Sequence, residues 1–60
     1  LKNFNSLKLE PQIEEFLTIK DFQIQKNLIH FRLENNDDNS QFIRTYNLRD
    51  GKLTTEIKIK

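Results

Sequence analysis

Sixty residues with ten basic and nine acidic side chains, a formal net charge of +1, make one small domain with no strong pull toward phosphate or anionic lipid. The chain has no cysteine, which excludes disulfides and thiolate metal sites, and its single histidine leaves almost nothing to hold zinc. Domains of this size bury only about 60% of their unfolded surface, so one hydrophobic core, a partner or self-association must hold the chain together.

Residues 1 to 19 carry helical signals. Pro11 suits the first turn of a helix, where its missing N–H costs nothing. Glu14 and Glu15 follow near the positive end of the helix dipole. Leu9, Ile13, Phe16 and Leu17 recur at i, i+4, i+7 and i+8, which is one helical face. Leu1, Phe4 and Leu7 could extend that stripe upstream, with Pro11 interrupting it. The spacing predicts a short helix that must pack on something to persist.

Residues 20 to 60 read as an antiparallel β-meander. A strand from Ile19 to Gln25 turns at Lys26-Asn27 and pairs with Leu28-Ile29-His30-Phe31-Arg32-Leu33-Glu34. That aligns Phe22 with Phe31 and Ile24 with Ile29, and sets Asp21 opposite Arg32. Ile29, Phe31 and Leu33 point inward, while His30, Arg32 and Glu34 point outward. The amide- and acid-rich loop from Asn35 to Ser40 leads to the third strand, pairing Leu33 with Phe42, Phe31 with Arg44 and Ile29 with Tyr46. Asp50-Gly51 predicts a two-residue hairpin turn, because both residues tolerate positive φ. It sets Arg49 opposite Lys52, Leu48 opposite Leu53, Tyr46 opposite Thr55, Arg44 opposite Ile57 and Phe42 opposite Ile59. The expected fold class is therefore α+β: a short N-terminal helix packed on a four-stranded antiparallel meander sheet, in a single domain spanning residues 1–60.

Arg44 stands out, because this register places a permanent cation on the apolar face. Its stem can lie on the core while its head reaches the helix, where Glu14 or Glu10 would accept from it. Alternatively, part of that face is open, and Arg44 joins a binding surface with Phe31 and Tyr46. The final strand, with Ile57, Lys58 and Ile59, reads as a free edge to which a partner could add a strand.

Other chemistry is thin. The loop from Glu34 to Asn39 has oxygen ligands, but neither the glycine nor the closing glutamate of a calcium loop. His30 has Thr45 beside it and Glu56 one strand further on, with neither serine placed to complete a triad. No catalytic residue, cofactor-binding residue or metal ligand is expected, and no cofactor. No run approaches the about 20 apolar residues of a membrane span, and no signal-peptide pattern is present. No membrane partner is expected, and an intracellular setting is favoured. Lacking methionine, the chain reads as a processed or excised segment of a larger polypeptide.

Thr45 to Leu53 resembles the last hairpin of a β-propeller blade, with its aromatic, its Asp-Gly-Lys turn and its resuming strand. The order of helix then four-stranded meander is similar to the front part of RWD domains, and that resemblance implies a partner-binding role. No family is assigned on these grounds, since fold does not fix function. The expected function is a non-enzymatic protein–protein interaction or assembly module, binding another protein or itself. The alternative is weak nucleic-acid binding through Lys20, Lys26, Arg32, Arg44, Lys58 and Lys60.

Overall fold

The structure is a computed structural model and describes residues 9–60. Four strands follow one another as β1 (Leu17–Gln25), β2 (Leu28–Asn35), β3 (Gln41–Asn47) and β4 (Leu53–Lys58). They form a single antiparallel sheet in the order β1-β2-β3-β4. From Leu28 to Glu34, β2 alternates between half-buried and buried residues, as a strand with one core face must.

The described residues contain no helix, so the fold is all-β and the α+β expectation is corrected. Residues 1–8, on which part of the expected helix fell, lie outside the described residues. Residues 9–14 run without regular structure, a turn closes where the Leu17 N–H donates to the Glu14 carbonyl at 3.0 Å, and β1 starts at Leu17. Pro11 removes a donor and forces Glu10 toward an extended conformation. The helical stripe is also short, and a helix this brief is marginal unless packing favours it. An extended chain reaches more than twice as far per residue as a helix. It can thus span the inner face from Leu9, 3.5 Å from where a Cβ on Gly51 would lie, to Leu17 opposite Asn35. Leu9 and Ile13 pack against the core as they cross.

That core is Leu17, Ile29, Phe31, Leu33 and Tyr46, with Leu33 fully buried. Phe31 meets Tyr46 edge-on, ring centroids 5.7 Å apart, and Phe22 at a tilt, 6.5 Å apart. The β2–β3 register matches the sequence-based expectation pair for pair, including Phe31 with Arg44, and the β1–β2 register matches it from Asp21 to Gln25, including Phe22 with Phe31 and Asp21 with Arg32. β1 carries one irregularity: the register shifts between Ile19 and Asp21, leaving Lys20 as the extra residue.

The β3–β4 register differs from expectation. The hairpin closes on Asn47 rather than Arg49, with the Asn47 N–H donating to the Lys52 carbonyl at 2.9 Å and the Gly51 N–H to the Asn47 carbonyl at 2.7 Å. Only Gly51 has positive φ there, at 74°. The Asn47 side-chain oxygen accepts from the Arg49 N–H at 2.7 Å and starts the turn before Leu48 can pair. Leu48 instead donates its N–H to the Asn27 carbonyl at 2.7 Å and packs on the core. A second irregularity after Leu53 then leaves Thr54 without an opposite residue. A one-residue slip turns every side chain over. Ile57 accordingly stands opposite Ile43 on the outer face rather than beside Arg44, Glu56 takes the place at Arg44, and Lys58 rather than Ile59 stands opposite Phe42.

The β1–β2 turn leaves a measurable strain. Lys26 sits at φ 57° with its side chain exposed. A Cβ is disfavoured there, whereas glycine is at ease. Lys26→Gly is expected to stabilise the chain by about 0.5–1 kcal/mol, and each kcal/mol raises Tm by about 4–8 °C in so small a domain. Asn39 has a similar φ of 63°, but asparagine tolerates it, so Asn39→Gly should gain less. Equal thermal shifts for the two variants, or none, would count against a strained β1–β2 turn.

Candidate functional site

Two places on the sheet combine unusual residues. The first surrounds Arg44, whose side chain β3 projects onto the inner face, where the crossing segment meets it. The Glu14 carboxylate accepts from Arg44 Nη1 at 2.9 Å and Nη2 at 3.3 Å, so the two planar groups meet in a fork. Glu56 Oε1 lies 3.6 Å from Nε, close enough to compensate charge; among the described residues that buried N–H has no hydrogen-bond acceptor. The guanidinium carbon stands 5.5 Å from the centre of the Phe42 ring. The hydrogen bonds from Arg44 hold the Glu14 carboxyl below the ordinary glutamate range, and those same bonds raise Arg44 further above its own.

A cavity of about 370 Å³ opens beside this cluster, with Glu10, Glu14 and Glu56 around Arg44, Tyr46 and Leu53. Three carboxylates against one guanidinium leave it acidic, and the guanidinium is already engaged. Among the described residues its lining holds no serine, threonine, cysteine, lysine or histidine. Among the described residues no group of three or more His, Cys, Asp or Glu side chains is placed to hold a metal ion.

The second place is β1. Of its nine residues only Leu17 is buried. Ile19, Phe22 and Ile24 share the inner face with their cross-strand partners Leu33, Phe31 and Ile29, yet Phe22 is 61% and Ile24 56% exposed. Leu9 and Ile13 pack on the core, and Glu14 ties the same segment to β3, so among the described residues nothing shields the β1 side of the face. The outer face of β1 is polar. Asp21 receives Arg32 in a bidentate contact, with Nη2 to Oδ2 at 2.9 Å, and the Lys20 ammonium lies 3.3 Å from Glu34. Those bonds from Arg32 hold the Asp21 carboxyl below its usual range.

The six residues singled out from the sequence divide between these settings and a third. Phe31, Arg44 and Tyr46 do come together, but all three are buried. Ile57, Lys58 and Ile59 are exposed on the opposite edge of the sheet, away from them. Ile59 is held by its N–H bond to the Gln41 carbonyl at 2.8 Å. His30 bonds Thr45 Oγ1 through Nδ1 at 2.7 Å, but the register change puts Thr55, not Glu56, beyond it. Those six do not include the exposed trio of Ile19, Phe22 and Ile24. Within β1 the apolar residues Leu17 and Ile19 occupy odd positions and Phe22 and Ile24 even ones, a switch that an extra residue mid-strand accommodates.

No family model, curated protein or solved structure matches the chain.

Proposed function

We propose that this domain is a non-enzymatic protein–protein interaction module, and that β1 is its contact surface. The observation that carries the reading is the part of the inner face that the described residues leave uncovered, where Ile19, Phe22 and Ile24 continue the buried core out to the β1 edge of the sheet. Contiguous apolar surface next to unpaired backbone groups favours a protein occupant: the side chains supply burial and the edge supplies hydrogen bonds. The other edge strand, β4, ends in Lys58 and is followed by Lys60, charges that discourage pairing there.

Nucleic-acid binding has less behind it. Three of the six basic residues that could serve it are already engaged by carboxylates: Lys20 by Glu34, Arg32 by Asp21 and Arg44 by Glu14. A phosphate backbone would have to displace those partners. No helix among the described residues is long and apolar enough to cross a membrane.

A photo-reactive phenylalanine analogue placed at Phe22 tests the proposal against the same probe at His30, on the outer face. Adducts with protein are expected from position 22 and not from position 30. Equal yields from both, or none from position 22, would reject β1 as the contact surface.

A further inference from the structure

The inner and outer positions of β1 are arranged as a mirror sequence. Leu17 and Ile19 lie on the inner face and Thr18 on the outer, as their partners Asn35, Leu33 and Glu34 on β2 require. After the irregularity the order reverses: Asp21 and Gln23 are outer, Phe22 and Ile24 inner. Lys20, the extra residue, reaches the outer-face Glu34. From Leu17 to Ile24 the faces thus read in, out, in, out, then out, in, out, in, symmetric about the midpoint between Lys20 and Asp21.

An ordinary strand alternates without interruption, so it can match only half of β1 before its faces fall out of step. A strand with the same reversal at the same place matches throughout. We infer that β1 pairs antiparallel with β1 of a second copy of this chain, about a two-fold axis passing between Lys20 and Asp21. This inference rests on the reading of β1 as the contact surface and names its occupant.

The charges select that register. Pairing about the Lys20–Asp21 midpoint places Lys20 opposite the partner's Asp21, twice by symmetry. It also places Ile19 against the partner's Phe22, Leu17 against the partner's Ile24 and Thr18 against the partner's Gln23. Every pair joins residues of one face, and the only charged pairs are opposite in sign. Moving the axis half a residue either way puts Lys20 on the partner's Lys20 or Asp21 on the partner's Asp21, and sets inner residues against outer ones. The irregularity that shields β1 from unrelated strands is therefore what admits a second β1. The product is a continuous eight-stranded sheet with isologous contacts.

Charge exchange tests it on the full chain by sedimentation across a wide concentration range. The wild type is expected to dimerise. Lys20→Asp alone sets acid against acid, and Asp21→Lys alone sets base against base; each should weaken the dimer at least about tenfold. An equimolar mixture of the two variants restores opposite charges at both pairs and should form the heterodimer. Each variant also loses its own intramolecular bond, to Glu34 or to Arg32, and mixing cannot repair that. Recovery in the mixture therefore reports pairing between chains. A wild type that stays monomeric at every concentration overturns the inference, as does a dimer indifferent to both substitutions or a mixture that remains monomeric. The probe at position 22 then separates the two readings. An adduct with a different protein leaves the interaction module standing with another occupant. An adduct with the chain's own residues 1–8 overturns both readings.

Discussion

Leu33→Ala is expected to leave the chain largely unfolded at 25 °C. Leu33 is the only large side chain among the described residues with no exposed surface, and it sits between Ile19 and Phe42 in the middle of the sheet. Truncating a buried leucine costs about 2–5 kcal/mol, through lost transfer energy and the cavity left behind. A single core in a chain this short supplies no more than about 3–5 kcal/mol in total. The two quantities are of the same size, so one substitution can exhaust the stability of the domain. Ile57→Ala is the control: that side chain is 57% exposed on the outer face, and its loss should change stability by at most about 0.5 kcal/mol. Urea unfolding of the three proteins decides the point. If Leu33→Ala unfolds at the wild-type midpoint, the core does not centre on Leu33.

The second large effect concerns the clasp between Arg44 and Glu14. Glu14→Ala removes both acceptors of a buried guanidinium and releases the segment that carries Leu9 and Ile13 onto the sheet. A stranded buried charge is costly, whereas replacing it with an apolar side chain of similar length is often neutral or stabilising. Glu14→Ala should therefore destabilise the chain more than Arg44→Met does, and the reverse order would show that Arg44 is adequately solvated. The clasp also sets a pH dependence. Arg44 depresses the Glu14 pKa in the folded chain, so the clasp is at full strength above the unfolded glutamate value of about 4.3. Its contribution is lost as pH falls through the lower, folded value. Asp21, bonded by Arg32, and Asp38, bonded by the Ser40 N–H and hydroxyl, are depressed likewise and add to the same acid weakening. Thermal melts between pH 7 and pH 2 should show falling Tm on the acid side. That slope should be shallower in Glu14→Gln, which has no proton to gain there.

The fate of Ile57 and Glu56 shows where local reading stops. Asp50-Gly51 does mark a turn, and Gly51 does take positive φ. Which residues close the turn was decided by Asn47, whose side chain captures the Arg49 N–H, and by Leu48, which bonds Asn27 across the sheet. The second of these is a contact between segments far apart in the chain, with no trace in the local pattern. Its result also suits the electrostatics. The slipped register brings Glu56, not Ile57, to the buried cation, and a carboxylate is the better neighbour for a charge that cannot be given up.

The course of residues 9–16 was undecided by periodicity for a related reason. Leu9, Ile13, Phe16 and Leu17 fit a helical face, but Leu17 and Ile19 also begin a strand pattern. Short apolar runs satisfy both periods. The choice fell to the sheet, which rewards a segment long enough to cross it and end with a carboxylate at Arg44. Because the segment crosses extended and is tied to β3, the described residues leave the β1 side of the face open, and the candidate site follows from that.

The sequence by itself determined three things: a small antiparallel sheet, the meander order, and the β2–β3 register together with that of β1–β2 from Asp21 onward. Each rests on alternation or on opposite charges at neighbouring positions, which are local properties of the chain. The tertiary structure alone decided three others: the extended crossing of residues 9–14, the slip of β4, and the exposure of Ile19, Phe22 and Ile24. Each depends on which distant surface a segment meets. No residue carries that information until the sheet exists to be covered.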